Sequence, residues 1–344
     1  MLSHLKHTLR LPVLAGALLA ALCLPGHAAP ASDPYAGYLL VHFTDGRPDG
    51  EQIYFATSKD GLHWQDLNKM QPVLTSDIGD KGLRDPSIVR SAKGDKFYIL
   101  ATDLRIANGK GWNAAVHNAS TSLIIYESSD LVNWSAPRKV DIAGSIPGAG
   151  CAWAPEAIYD EANGDYIVYW ATTSPLNGID KARIYYSRTK DFATFTPAAL
   201  YIDRPGSTGI IDTQIVKMKD RSSGYQYYRA SGDGQITIEG ANELLGKWTT
   251  IGDLRTVGLT GLQVEGPILY KMNDSDQWQL WVDQYKAGKG YLALVTSNMS
   301  AAANFRILDG AEYSLGKLKK RHGSILNVTA AEYEAVRKKY GVAD

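Results

Sequence analysis

Cysteine is nearly absent from this chain of 344 residues, which carries only Cys23 and Cys151. A disulfide framework and a cysteine-based zinc site are therefore excluded, and stability has to come from packing. With no motif around it, Cys151 reads as a buried structural thiol rather than a nucleophile. Net charge is absent as well, because 36 Lys and Arg balance 36 Asp and Glu without a basic run. Such a surface makes nucleic acid and anionic membranes poor partners. Past the N-terminus no apolar stretch approaches the roughly 20 residues that a membrane-spanning helix needs.

The one long apolar run, residues 11–24, follows Lys6 and Arg10 and precedes Gly26-His27-Ala28. A basic start, a short apolar segment and a small-x-small site together describe a secretory signal peptide. Residues 1–28 are expected to be removed, which leaves 29–344 as a secreted or periplasmic protein with Cys151 as its lone thiol. Leu22 is bulky where a lipid-attachment site wants Gly or Ala, which argues against an anchor on Cys23.

What the sequence does have is repetition, together with 20 Tyr and 8 Trp that suit both a β-rich core and sugar stacking. A strand, a turn rich in Ser, Asp or Asn, and an aromatic residue recur five times, over residues 53–64, 125–134, 184–195, 236–248 and 292–305. Each copy follows another apolar strand-like segment, at 38–43, 96–102, 165–171, 225–231 and 277–284. Before four of these comes a shorter strand, at 85–89, 155–159, 212–216 and 265–270. Inner strand, middle strand and outer hairpin are the parts of a propeller blade. The first unit lacks an inner strand, and residues 322–326 have the right character without a blade of their own. We expect an all-β, five-bladed β-propeller, its ring closed by this C-terminal strand, with a short amphipathic helix over 330–340.

Aligned on their apolar residue, the inner strands read Asp85-Pro86-Ser87-Ile88, Pro155-Glu156-Ala157-Ile158, Asp212-Thr213-Gln214-Ile215, Glu265-Gly266-Pro267-Ile268 and His322-Gly323-Ser324-Ile325. Asp85, Asp212, Glu265 and His322 then share one register and meet around the propeller axis. Carboxylates crowded there cost several kcal/mol, of order 1–5, unless function or a metal justifies them. An inverting glycosidase has a use for them: a base and an acid about 6.5–9.5 Å apart, and a third carboxylate that raises the pKa of the acid. Glu156 falls one residue out of this register and is expected to be structural or to touch substrate. His322 is a candidate to hold a cation or water beneath the sugar, or to hydrogen-bond an acid.

These segments resemble the family 43 glycoside hydrolases over essentially the whole of 29–344. The matching pieces are Arg84-Asp85-Pro86-Ser87-Ile88, Trp153-Ala154-Pro155-Glu156, Ile211-Asp212-Thr213-Gln214, Val264-Glu265-Gly266-Pro267 and Arg321-His322-Gly323-Ser324. The resemblance implies inversion by single displacement on arabinofuranosides or xylosides of plant cell walls, with Asp85 as general base, Asp212 as pKa modulator and Glu265 as general acid. It places Arg84, Trp153, Glu156 and Arg321 among the substrate contacts, and His322 beside a calcium ion or water at the axis; no other cofactor is implied. Two departures stand out: Glu156 replaces the usual Asp, and a strand pair and hairpin over 38–74 precede the base-bearing strand. We expect a monomeric enzyme that releases terminal sugars, α-L-arabinofuranose first among them. A β-xylosidase, an endo-arabinanase, a galactofuranosidase or a non-catalytic sugar-binding propeller on this scaffold are the alternatives.

Overall fold

The computed structural model describes Met1, Leu2 and residues 34–343 apart from Gly46, Pro48 and Asp233. The signal peptide expected over 1–28 lies outside the described residues. From Pro34 onward the chain forms one compact unit. It contains five antiparallel sheets of four strands each. Blade one holds β1 (Tyr35–His42), β2 (Tyr54–Ser58) and β3 (Trp64–Asp66). Blade two is β4 (Leu83–Arg90), β5 (Phe97–Asp103), β6 (Ser122–Ser128) and β7 (Arg138–Asp141), with a short helix α1 (Trp112–His117) in its β5–β6 loop. Blade three is β8 (Trp153–Asp160), β9 (Asp165–Ser174), β10 (Lys181–Thr189) and β11 (Ala199–Ile202). Blade four is β12 (Thr213–Lys217), β13 (Tyr227–Ser231), β14 (Thr237–Ala241) and β15 (Thr249–Asp253). Blade five is β16 (Glu265–Lys271), β17 (Trp278–Asp283), β18 (Tyr291–Thr296) and β19 (Arg306–Ile307), followed by β20 (Gly323–Thr329) and α2 (Ala330–Tyr340).

Side chains alternate between the two faces of a strand, and both faces of each blade are covered, so the middle strands are apolar almost throughout. Ile99 of β5 packs with Leu39 and Phe55 of blade one. Its neighbour Leu100 points the other way, onto Val168 and Tyr185 of blade three. Leu280 and Trp281 of β17 divide in the same manner between blades four and one. The five apolar clusters are thus the five blade interfaces. Cys151 is buried, as expected, and burial pushes its thiol up to about 11.

The recurring turn has a single construction in the first three blades. The hydroxyls of Ser58, Ser128 and Thr189 accept the N–H three residues on, at 2.9, 3.0 and 2.9 Å. Those acceptors' partners, Gly61, Leu131 and Phe192, have φ of 78°, 65° and 54°. The carboxylates of Asp60, Asp130 and Asp191 then cap the N–H groups of His63, Asn133 and Thr194, each at 2.8 Å. Side-chain oxygens supply the bonds that a two-residue hairpin would have supplied itself.

The ring closes as the sequence implies. β20 is the inner strand of blade one, antiparallel to β1 from Tyr35↔Thr329 to His42↔Gly323. The segment leading into it is clasped by Asp66, which accepts the N–H groups of Lys317 and Leu318 at 2.7 and 3.0 Å and the ammonium of Lys320. Helix α2 starts in a capping box between Thr329 and Glu332 and buries Tyr333 and Val336 on the interface of blades one and two. Arg90 of β4 holds Glu332 at 2.8 Å, which fastens the last element to blade two.

Lys320 is fully buried, and that burial draws its ammonium below the ordinary lysine range, with Asp66 opposing the shift. Asp66→Ala leaves this charge without its partner and frees the clasped segment. Urea unfolding should show a loss of about 3–5 kcal/mol; a loss below about 1 kcal/mol would mean that the clasp does not hold the ring.

Candidate active site

Each inner strand is the edge of its sheet nearest the axis, and three of the five begin with the same irregularity. In blade two, Arg84 pairs with Thr102 and Ser87 with Leu100, so Asp85 and Pro86 together oppose one residue. In blade three, Trp153 and Glu156 flank Ala154 and Pro155 in the same way. In blade five, Glu265 and Ile268 flank Gly266 and Pro267. These are two-against-one β-bulges, and proline suits them because it has no N–H for the ladder. Asp85, Ala154 and Gly266 have φ of 49°, 48° and 55°, and Asp212, just ahead of β12, has 50°.

The bulge corrects the inner-strand alignment. Asp85 and Asp212 occupy the kinked position itself, which Gly266 occupies in blade five, while Glu265 stands one residue earlier. Matching strands by their isoleucine had counted Ile268 with Ile88, although pairing places Ile268 with Ser87. Glu156 likewise matches Ser87 and Gln214, two residues beyond the kink.

His322 stands between the acids. Its Nδ1 lies 3.5 Å from Asp85 Oδ1 and 3.6 Å from Asp212 Oδ2. Burial lowers the imidazole pKa, with the charge of Asp85 foremost among the opposing influences. Asp85 Oδ2 accepts the hydroxyl of Thr102 at 3.0 Å, and that hydroxyl accepts the N–H of Ala154 at 2.8 Å, which fixes the direction of both bonds. Asp212 Oδ2 accepts the N–H of Gly266 at 3.0 Å, which sets its charge against the residue after Glu265. A Cβ on Gly266 would come within 2.8 Å of His322 Cγ, so this position has room only for glycine.

Glu265 is the perturbed member. Burial first, then the charges of Asp212, Asp283 and Asp85, push its carboxyl up to about 9 against the pull of Arg321. Arg321 Nη2 donates to Glu265 Oε1 at 3.0 Å, and the same guanidinium grips Asp283 and Asp45. Asp283 pairs with Glu265 across β16 and β17. Neither Asp45 nor Asp283 stood out in the sequence; Asp283 sits at a middle-strand end like Thr102, the support of Asp85.

The remaining expected residues spread around this group. Arg84 is buried, gives Nη1 to Glu51 Oε1 at 2.9 Å and lies over the ring of Phe43 at 4.4 Å. Trp153 is half-buried and meets Trp112 edge to face at 6.4 Å. Glu156 is buried below the kink, where Gln214 Nε2 donates to it at 3.4 Å, and burial pushes its carboxyl up to about 8. Gln214 in turn accepts the N–H of Leu269, so one amide ties blades three, four and five. Among the described residues no three His, Cys, Asp or Glu side chains converge as metal ligands. Calcium wants six to eight oxygens, and His322 Nδ1 already faces two carboxylates, so these donors do not make a cation cage by themselves.

A family model described as a probable glycosyl hydrolase domain, related to glycosyl hydrolase family 43, matches residues 33–334. An α-L-arabinofuranosidase of Bifidobacterium longum subsp. longum is 31% identical over 283 residues, which are 71% of this chain and 26% of that protein. The chain thus spans about a quarter of the length of that relative. The crystal structure of a thermostable family-43 glycoside hydrolase superposes with a TM-score of 0.52 at 19% identity, covering 73% of this chain and 82% of its own. A Bacillus subtilis arabinanase follows at 0.45 and 21%, with 74% and 82% covered.

Glu156 makes the burial testable apart from catalysis. Its folded pKa of about 8 exceeds the ordinary 4.5, so between these values the folded state keeps a proton that the unfolded chain has lost. Stability should fall as pH rises through that window, by up to about 1.4 kcal/mol per pH unit. Glu156→Gln removes this titration. The melting temperature of the variant relative to the parent should climb from pH 5 to pH 8, and a difference independent of pH would show that Glu156 is ionised throughout.

Proposed function

The chain belongs to the glycosyl hydrolase 43-related family, and from that membership we propose that it is an exported, monomeric, inverting exo-glycosidase that releases terminal α-L-arabinofuranose from plant cell-wall glycans. The observation that carries this reading is the unequal treatment of the carboxyls around His322. Glu265 is half-buried among other charges that raise its carboxyl well above the ordinary range, whereas Asp85 is braced by a neutral hydroxyl.

In this reading Glu265 is the general acid. Arg321 occupies Oε1, which leaves Oε2 to carry the proton toward the glycosidic oxygen as the bond to the anomeric carbon breaks. Asp85 is the general base: it takes a proton from a water that attacks the same carbon from the opposite face. Asp212 touches no proton in transit. Its charge sits beside Gly266 and supports the raised pKa of Glu265. Arabinose as the released sugar rests on the Bifidobacterium relative, and export rests on the composition of residues 1–28.

Variants separate the three roles. On nitrophenyl α-L-arabinofuranoside, Asp85→Ala should lose about 10²–10⁴-fold in kcat, and as much on natural oligosaccharides. Glu265→Ala should lose far less on a dinitrophenyl glycoside, whose leaving group needs little protonation, than on a disaccharide. Asp212→Asn should shift the alkaline limb of the kcat/KM profile to lower pH, because a charge that raises the acid's pKa is gone. No turnover of any furanoside by the parent enzyme would overturn the arabinofuranosidase reading, and an equal loss for Glu265→Ala on both substrates would remove it as the acid.

A further inference from the structure

Trp112 is the largest apolar side chain left in the open within the propeller, with 56% of its surface exposed. Single exposed aromatics are ordinary on protein surfaces. What sets this one apart is that its loop is fastened. Glu51 accepts the N–H groups of Ile106 and Ala107 with its two oxygens, both at 2.9 Å. Asn108 Nδ2 donates to the carbonyl of Asp80 at 2.9 Å, and Lys110 pairs with the carboxylate of Asp80. The Arg84 guanidinium stands over the Trp112 ring at 5.3 Å, next in sequence to Asp85. An aromatic platform beside the carboxyls is thereby held in place before any ligand arrives.

Trp112 also walls a cavity of about 280 Å³ with Asp45, Glu51 and Arg84. That volume is near the lower end for small-molecule sites, which fits one ring rather than a chain. Its polar walls carry both signs, so the chemistry suits a neutral, hydroxyl-rich ligand with an apolar face to lay on indole. The indole N–H of Trp153, which meets Trp112 edge to face, is buried and has no acceptor among the described residues. Asp45 is shared with Arg321, whose Nη2 holds Glu265. The cavity is therefore joined by one guanidinium to the group that would protonate the leaving sugar.

We propose that Trp112 and the cavity of Asp45, Glu51 and Arg84 form a subsite for the sugar unit next to the one released. This rests on the exo-hydrolysis proposed above, under which that unit belongs to the leaving group. The subsite gives the β5–β6 loop a role in chain-length preference, while the carboxyls at the axis act on the terminal sugar.

The test combines binding and turnover. Arabinotriose and, separately, xylotriose are titrated calorimetrically into Asp85→Asn protein with and without Trp112→Ala. Trp112→Ala should weaken the better trisaccharide about tenfold, the loss of one stacked ring at about 1.4 kcal/mol, and Trp112→Phe should recover most of it. In otherwise unaltered enzyme, Trp112→Ala should lower the ratio of kcat/KM for that trisaccharide to kcat/KM for the nitrophenyl monoglycoside by a similar factor. Equal affinity with and without Trp112, or no binding of either trisaccharide, would overturn the subsite. Failure of the reaction itself looks different: no furanoside is turned over, while trisaccharide binding and its dependence on Trp112 persist.

Discussion

A backbone kink at the start of the inner strands sets where everything chemical in this protein stands. Non-glycine residues at positive φ cost about 1–3 kcal/mol each, yet Asp85, Ala154 and Asp212 all adopt it. The interlocked blades can hold such strain because each inner strand is pinned by its middle strand and by the next blade. Thr102 spans blades two and three, Asp212 spans four and five, and Gln214 joins three of them. Without the kink, Asp85 and Asp212 would not turn their carboxyls toward His322.

Crowding then differentiates groups of the same chemical kind. Asp85 rests on a hydroxyl and stands near one imidazole, whereas Glu265 is surrounded by carboxylates and has one guanidinium in compensation. Arg321 reconciles two demands, since it keeps Asp283 and Asp45 paired and positions Glu265 without cancelling its raised pKa. Below the kink, Glu156 shows the same desolvation with no charged partner, and its carboxyl is raised by burial. Burial and neighbouring charge, rather than residue type, separate the roles.

Much of this was legible in the sequence because propellers repeat. The turns of blades one, two and three repeat side-chain oxygens at fixed spacing, and the orphan strand over 322–326 had nowhere to go but blade one. The kink was harder to see. Asp85-Pro86, Ala154-Pro155 and Gly266-Pro267 mark it, since proline breaks the ladder at the same place in each, but alignment on isoleucine slid blade five by one residue. Asp45 and Asp283 gave no signal, because their partners are far apart in sequence: Asp45 and Arg321 meet only once the ring closes. Trp112 sits in a loop particular to blade two, where repetition says nothing.

The central claim is that a water-activating carboxylate and a protonated carboxyl stand apart across one sugar, so that water adds directly to the anomeric carbon. Proton NMR of the first product formed from an α-L-arabinofuranoside, recorded before mutarotation, reads this directly. The account predicts that β-arabinofuranose appears first, with configuration inverted; α-arabinofuranose as the initial product would mean a covalent intermediate and would contradict it.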